Sequence, residues 1–233
     1  MPDRTERSAL APLLELRALT KSVPDGRVLF SDLTLSVAPG ELVAIVGESG
    51  SGKSTLLNIA AGLDNYDAGQ ILIGGEDLAQ FDDRGLTDLR RRRIGFVFQA
   101  FHILPYLTLR RNVALPLALA SGDSREIAAR ADAMLDLVGL GCRGDDYARD
   151  LSGGELQRIA IARALVHKPA LILADEPTGN LDTETAARIL QLFADSARNS
   201  GSAGLLVTHS VAAAAIADRT LVLTATGLAP VDG

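Results

Sequence analysis

An α/β fold with a mostly parallel sheet is predicted by three features of this chain. From Leu42 onward, apolar runs of strand length alternate with helix-favouring segments. One such run, Leu42 to Val46, leads through a glycine-rich loop, Gly47-Glu48-Ser49-Gly50-Ser51-Gly52-Lys53-Ser54-Thr55, into a helix-favouring stretch, Thr55 to Ala61. A later run, Leu171 to Ala174, ends on two adjacent carboxylates, Asp175 and Glu176.

Taken in order, Leu14 to Leu19 and Val28 to Val37 read as strands, punctuated by Pro39-Gly40 before the Leu42 strand. Gly69 to Ile73 and Ile94 to Phe98 are further strands, with the basic run Arg90 to Arg93 between them read as a solvated face. Thr108 to Ala120, Arg125 to Val138 and Gly153 to Val166 read as three helices. In the second, Ile127, Ala131, Met134, Leu135 and Val138 recur at three- to four-residue spacing. Next come the strand ending at Asp175, a helix from about Thr183 to Ala197, a strand at Leu205 to Thr208, a short helix, and a last strand at Thr220 to Leu223. Residues 1–12 read as a flexible tail. Residues 13–233 read as one domain with a helical insertion at about 100–166.

Composition removes several function classes. The chain has 233 residues, 47% of them hydrophobic, enough for a packed core. Its formal charge of −6 offers no global attraction to nucleic acid, and none is expected as a partner. A single cysteine, Cys142, allows no internal disulfide and no Cys-based metal cluster; it is expected to be a small, semi-buried residue. No secretory signal is visible in residues 1–12, and no apolar run approaches the ~20 residues of a spanning helix.

The glycine-rich loop fits G-x-x-x-x-G-K-[ST], the P-loop, in the strand–loop–helix setting its mechanism needs. Glycines let the backbone wrap an anion closely. Loop and first-turn N–H groups then point at phosphates. Lys53 adds a positive charge for the β- and γ-phosphates, and Ser54 a hydroxyl for Mg²⁺. The expected ligands are therefore a nucleoside triphosphate and Mg²⁺. Asp175 fits a carboxylate near Mg²⁺, and Glu176 fits orientation of the attacking water. Successive residues on a strand point apart, which suits that division of labour. Leu151-Ser152-Gly153-Gly154-Glu155 opens a long helix with a good cap residue, and reads as a second anion-binding helix terminus.

The P-loop, Leu151-Ser-Gly-Gly-Glu155, the Asp175-Glu176 pair and a following His209 together resemble the ATP-binding subunit of ABC transporters, over about Leu14 to Leu223. The resemblance implies a P-loop NTPase core with an N-terminal antiparallel β subdomain and an inserted helical subdomain. It implies a head-to-tail dimer, identical or mixed, with ATP clamped between the P-loop of one subunit and Ser152 to Glu155 of the other. It also implies a γ-phosphate switch at His209, a Mg²⁺- and water-sensing Gln99, and an interface-crossing Asp182. Ala174-Asp-Glu-Pro-Thr-Gly-Asn-Leu-Asp182 and Phe98-Gln-Ala-Phe-His-Ile-Leu-Pro-Tyr-Leu-Thr108 resemble the branch of lipoprotein-releasing, macrolide/peptide-exporting and cell-division ATPases. That branch implies an integral membrane permease on a separate chain and a peripheral place on the cytoplasmic face of a bacterial inner membrane. The competing reading is a nucleic-acid- or ribosome-linked ATPase of the same superfamily. It lacks support from coiled coils, zinc cysteines or a second ATPase half. A soluble P-loop kinase would leave Leu151 to Glu155 unexplained.

Some residues depart from the family's pattern. Val23 stands where an aromatic usually stacks on adenine, and Phe30 is the only aromatic before the P-loop. Leu156, Ser210 and Arg111 are milder departures, at positions where the family more often has a polar residue, Asp and Glu. Base–aromatic stacking is worth roughly 1–3 kcal/mol in nucleic-acid proteins. Val23→Tyr is therefore expected to tighten ATP and GTP binding, with the low end of that range the better guide because Val keeps some apolar contact. Equal affinities of wild type and variant in a titration would contradict this.

Overall fold

The computed structural model describes residues 11–120 and 123–231; the expected tail lies almost wholly outside them. Two sheets form the framework. The first is antiparallel in the order β2-β1-β4-β5, from β1 (Leu14–Ser22), β2 (Val28–Val37), β4 (Ala68–Ile73) and β5 (Glu76–Asp77). The second runs β10-β9-β3-β8-β7-β6, from β3 (Leu42–Val46), β6 (Ile94–Val97), β7 (Leu171–Asp175), β8 (Ala203–Val207), β9 (Arg219–Thr224) and β10 (Gly227–Pro230). All its neighbouring pairs are parallel except β9 with β10. The helices are α1 (Lys53–Ala60), α2 (Asp83–Arg93), α3 (Leu109–Leu119), α4 (Ser124–Leu137), α5 (Gly153–Leu165), α6 (Thr183–Ser200) and α7 (Val211–Ala215).

The pleat of the parallel sheet divides the core. Val43, Ile45, Leu171, Leu173, Leu205 and Val207 pack with α1 and the antiparallel sheet. Their strand neighbours Leu42, Ile172, Ala174 and Leu206 pack on the other face, with residues of α3 to α6. Buried on both faces, these strands are apolar without alternation, which is why they were visible in the sequence. Helices α3, α4 and α5 pack on one another, and α5 also lies along β6.

Several expectations need correction. The sequence reading has no helix at 83–93, yet α2 forms there, with Asp82 as its cap accepting from the Gly85 N–H at 2.7 Å. Its one buried residue is Leu89, too little apolar periodicity to reveal it. Arg90 to Arg93 form its last turn, where cations suit the helix dipole. Arg90 donates to the Gly62 carbonyl, and Arg92 pairs with Asp88. The short strands β5 and β10 also went unread, β10 ending in Pro230. Cys142, expected to be semi-buried, is exposed on a 3₁₀ turn.

One contact fixes α5 against the sheet. A Cβ on Gly95 of β6 would lie 2.2 Å from the Ala164 carbonyl oxygen and 2.7 Å from Pro169 Cγ. Only a glycine permits that approach, and α5 carries the Ser152 turn at its other end. Gly95→Ala should cost roughly 1–3 kcal/mol by overpacking. An unchanged denaturant midpoint would show that α5 is not seated by this contact.

Candidate functional site

Four parallel strands end level with one another: β3, β8, β7 and β6 are neighbours, paired at Ile45↔Val207, Asp175↔Val207 and Val97↔Ala174. Just beyond those carboxyl ends lie the P-loop, Thr208-His209, Asp175-Glu176 and Gln99. An open parallel sheet binds ligands at that edge. There the structure has a cleft of about 560 Å³, lined by residues that include Val23, Ser49, Gly50, Gly52, Lys53, Ser54, Thr55, Gln99, Asp175, Glu176 and His209.

The loop is shaped by positive φ at Gly47, Gly50 and Gly52, at 155°, 77° and 97°. Gly52 is also forced by space, since a Cβ there would sit 3.1 Å from Leu29 Cβ. Gly52 caps α1 without any side-chain hydrogen bond, and the first turn holds no acidic residue. Nothing in the helix itself competes for an anion at that terminus. Lys53 is 6% exposed and donates to the Gly47 and Glu48 carbonyls at 2.9 and 2.7 Å. Burial pushes its ammonium down from the ordinary value, while Glu176 and then Asp175 pull it back up. Among the described residues, Ser51 Oγ is buried with no hydrogen-bond partner. Glu48 and Ser49 are exposed on the rim.

Glu176 has φ +47°, in the left-handed region that non-glycine residues seldom adopt. The β8 end supports that conformation. The Glu176 N–H donates to the Val207 carbonyl at 2.9 Å. Glu176 Oε2 accepts from Thr208 Oγ1 and from the His209 N–H, each at 3.3 Å. Its Oε1 is buried without a hydrogen bond, 3.5 Å from His209 Nε2, an ion-pair distance outside hydrogen-bond geometry. Asp175 is 8% exposed, whereas Gln99, Ser54 and His209 are exposed to the cleft.

The remaining candidates lie elsewhere. Ser152 to Glu155 do not line the cleft. Gly154 lies against the Asn180–Leu181 segment, where a Cβ would come within 3.2 Å of the Asn180 carbonyl oxygen. Ser152 and Glu155 form a reciprocal capping box: Ser152 Oγ accepts from the Glu155 N–H, and Glu155 Oε2 accepts from the Ser152 N–H and hydroxyl. Gly153 has open space around it. Asp182 is the cap of α6, accepting from the Thr185 N–H at 3.0 Å. The sequence reading missed Arg27, Leu29, Gly179 and Asn180 in the cleft wall and Thr208 behind Glu176. Of these, Gly179 and Asn180 sit inside the Ala174 to Asp182 motif and Thr208 beside His209, whereas Arg27 and Leu29 carry no such signal. The ring of His167, left without a catalytic role, contacts the Ile94 carbonyl at 3.1 Å, and the carbonyl of His102 accepts from Arg163 at 2.6 Å.

The ABC transporter family model matches residues 30–179. The chain belongs to the ABC transporter family. It is an ATP-binding, ATP-hydrolysing subunit of that family. The ATP-binding protein LolD of the lipoprotein-releasing system of Shewanella oneidensis is 45% identical over 91% of this chain and 93% of its own. The Bordetella pertussis protein of the same name is 45% identical over 93% and 95%. These relatives match the lipoprotein-release member of the expected branch. A dimeric ATP-binding cassette in a post-hydrolysis state, bound to ADP and Pi, superposes with a TM-score of 0.87 at 36% identity, over 94% of this chain and 99% of that one. A mixed α/β cassette with an antiparallel sheet and a parallel sheet is thus the fold that the sequence predicted.

The hydrogen bonds from Ser152 hold the Glu155 carboxyl below the usual 4.5, with Arg143 helping. A depressed value stabilises the fold fully above the ordinary carboxyl range, and that contribution fades as pH falls through the depressed value. Glu155→Gln should therefore flatten the acid side of the stability profile below about 4.5 and leave the neutral-to-alkaline slope unchanged. Parallel profiles for wild type and variant would contradict this.

Proposed function

We propose that this chain drives a separate integral membrane permease by closing on ATP as a dimer, and that Glu176 is its hydrolytic base. The observation that carries the reading is the convergence of four strand ends on one phosphate-ready cleft, with a second anion-type helix terminus left outside it. In the dimer, Ser152 to Glu155 of one copy close over the cleft of the other, and Asp182 lies at the seam. The dimeric state of the similar solved cassette supports this arrangement. The relatives' names support lipoprotein release as the class of work; a peripheral place on the cytoplasmic face of the inner membrane is part of the same reading. Among the described residues, no helix is long and apolar enough to cross a membrane.

The donor set fits Mg²⁺. Ser54, Gln99 and Asp175 offer a hydroxyl, an amide oxygen and one carboxylate in the same cleft, all hard oxygen ligands. Among the described residues no cluster of three metal-ligating His, Cys, Asp or Glu exists. That suits an ion held partly by substrate phosphates. When bound, Mg²⁺ would draw charge from the β- and γ-phosphate oxygens.

The chain's own residues do the rest. The loop amides and the α1 terminus bind the β- and γ-phosphates, and Lys53 turns from its two carbonyl partners toward them. Glu176 accepts a proton from the attacking water. The water oxygen bonds to the γ-phosphorus, the bond to the β-γ bridging oxygen breaks, and ADP leaves with that electron pair. Thr208 and the His209 N–H fix the carboxylate that takes the proton. His209, more than half exposed beside Glu176, is placed to touch the γ-phosphate. Catalysis here is positioning and charge stabilisation, without a covalent intermediate.

Glu176→Gln should abolish phosphate release and retain ATP binding, whereas Lys53→Ala should lose much of the binding itself. Phosphate-release assays and ATP titrations separate the two. Near wild-type turnover in Glu176→Gln would place the base elsewhere.

A further inference from the structure

The hairpin wall of the cleft holds a residue for which the family resemblance gives no role. Val23 and Arg27 close the β1–β2 hairpin: the Val23 N–H donates to the Arg27 carbonyl at 3.0 Å, and Gly26 and Asp25 tighten the turn between them. Being opposite each other, the two side chains project to the same side, and both line the cleft. Leu29 continues that wall. Val23 is partly buried on the core, while Arg27 is exposed.

Neither Val23 nor Leu29 has a planar face. Phe30, the one aromatic that could have supplied it, is 0% exposed in the core and out of reach. The guanidinium of Arg27 is the planar group on this wall. Its Nη1 rests 3.4 Å from the Gly50 carbonyl oxygen, on the P-loop itself. Among the described residues no carboxylate pairs with it within 4.0 Å, in contrast to Arg17, Arg110, Arg143 and Arg219. An exposed, unpaired arginine held over an apolar wall suits a flat aromatic base. A phosphate has its own provision at Lys53 and at the α1 terminus.

We propose that Arg27 stacks on the nucleobase of the bound triphosphate, with Val23 and Leu29 as its apolar floor. This rests on the nucleotide reading above and adds to it the residue that holds the base. The guanidinium is planar and weakly hydrated, so it gives up little on covering a base, and its charge is attracted to the ring face. In this chain the base would thus be held by a cation where an aromatic is absent.

The test is an equilibrium titration of the full-length protein with ATP and, separately, with inorganic tripolyphosphate, which has no base. Arg27→Ala should weaken ATP binding about two- to thirtyfold, the range for a cation–π contact, and leave tripolyphosphate binding unchanged. Arg27→Lys should recover only part of the loss, because an ammonium keeps the attraction of its charge to the ring but has no planar face to stack. Unchanged ATP affinity in Arg27→Ala would overturn the proposal. So would an equal loss for tripolyphosphate, which would make Arg27 a phosphate contact, or full rescue by Arg27→Lys, which would make its charge alone sufficient. Failure of wild type to bind ATP at all would overturn the nucleotide reading as well; the other adverse outcomes leave that reading intact.

Discussion

A buried ammonium surrounded by acceptors sets the terms for this molecule. Lys53 is withdrawn from water, holds two loop carbonyls, and feels the two carboxylates that end β7. Such a group is tolerated only when its donors are used and its charge is balanced. The loop carbonyls meet part of that need, and the phosphates of a nucleotide would meet the rest. The strand ends, the glycine turns and the uncapped α1 terminus all serve the same purpose. They leave anion-seeking groups pointed into one cleft and deny them partners elsewhere.

The helix terminus proposed as a second anion site gives the cleft its larger consequence. Ser152 to Glu155 open α5 with a complete capping box, so this turn is folded and rigid before any ligand arrives. Its hydroxyl is engaged with its own Glu155, and its glycine at 153 is open to the outside. A turn so prepared, which does not line the cleft of its own chain, is suited to the cleft of another copy. The Gly95 approach that seats α5 on β6 links that turn to the sheet end carrying Gln99. Arg163, largely buried on the same helix, adds hydrogen bonds to the Phe101 and His102 carbonyls just beyond Gln99. Movement of the segment after Gln99 would therefore be felt by the helix that carries the Ser152 turn.

Much of this could be read in the sequence because the motif residues are specified by type. A lysine after a spaced glycine loop, paired carboxylates after an apolar strand, and Ser-Gly-Gly-Glu before a helix each demand particular atoms, so position follows from identity. The doubly buried strands β3 and β7 were legible for a related reason, since apolar runs of no more than five residues bounded by turn residues are too short for a buried helix. Arg27 and Leu29 were not legible. They are ordinary residue types that reach the cleft only through hairpin pairing and sheet register, which are tertiary facts. Helix α2 was hidden by its own polarity, with four consecutive arginines and a single buried leucine. Cys142 shows the limit of residue averages: a free cysteine is usually shielded, yet here it sits on a surface turn with no core to enter.

In the proposed dimer, two copies grip each nucleotide between a P-loop and the partner's Ser152 turn. Light scattering of Glu176→Gln, with and without ATP, addresses it most directly. The expected mass is near that of one 24.4 kDa chain without nucleotide and near twice that with ATP. A species that binds ATP stoichiometrically and keeps the single-chain mass would contradict it.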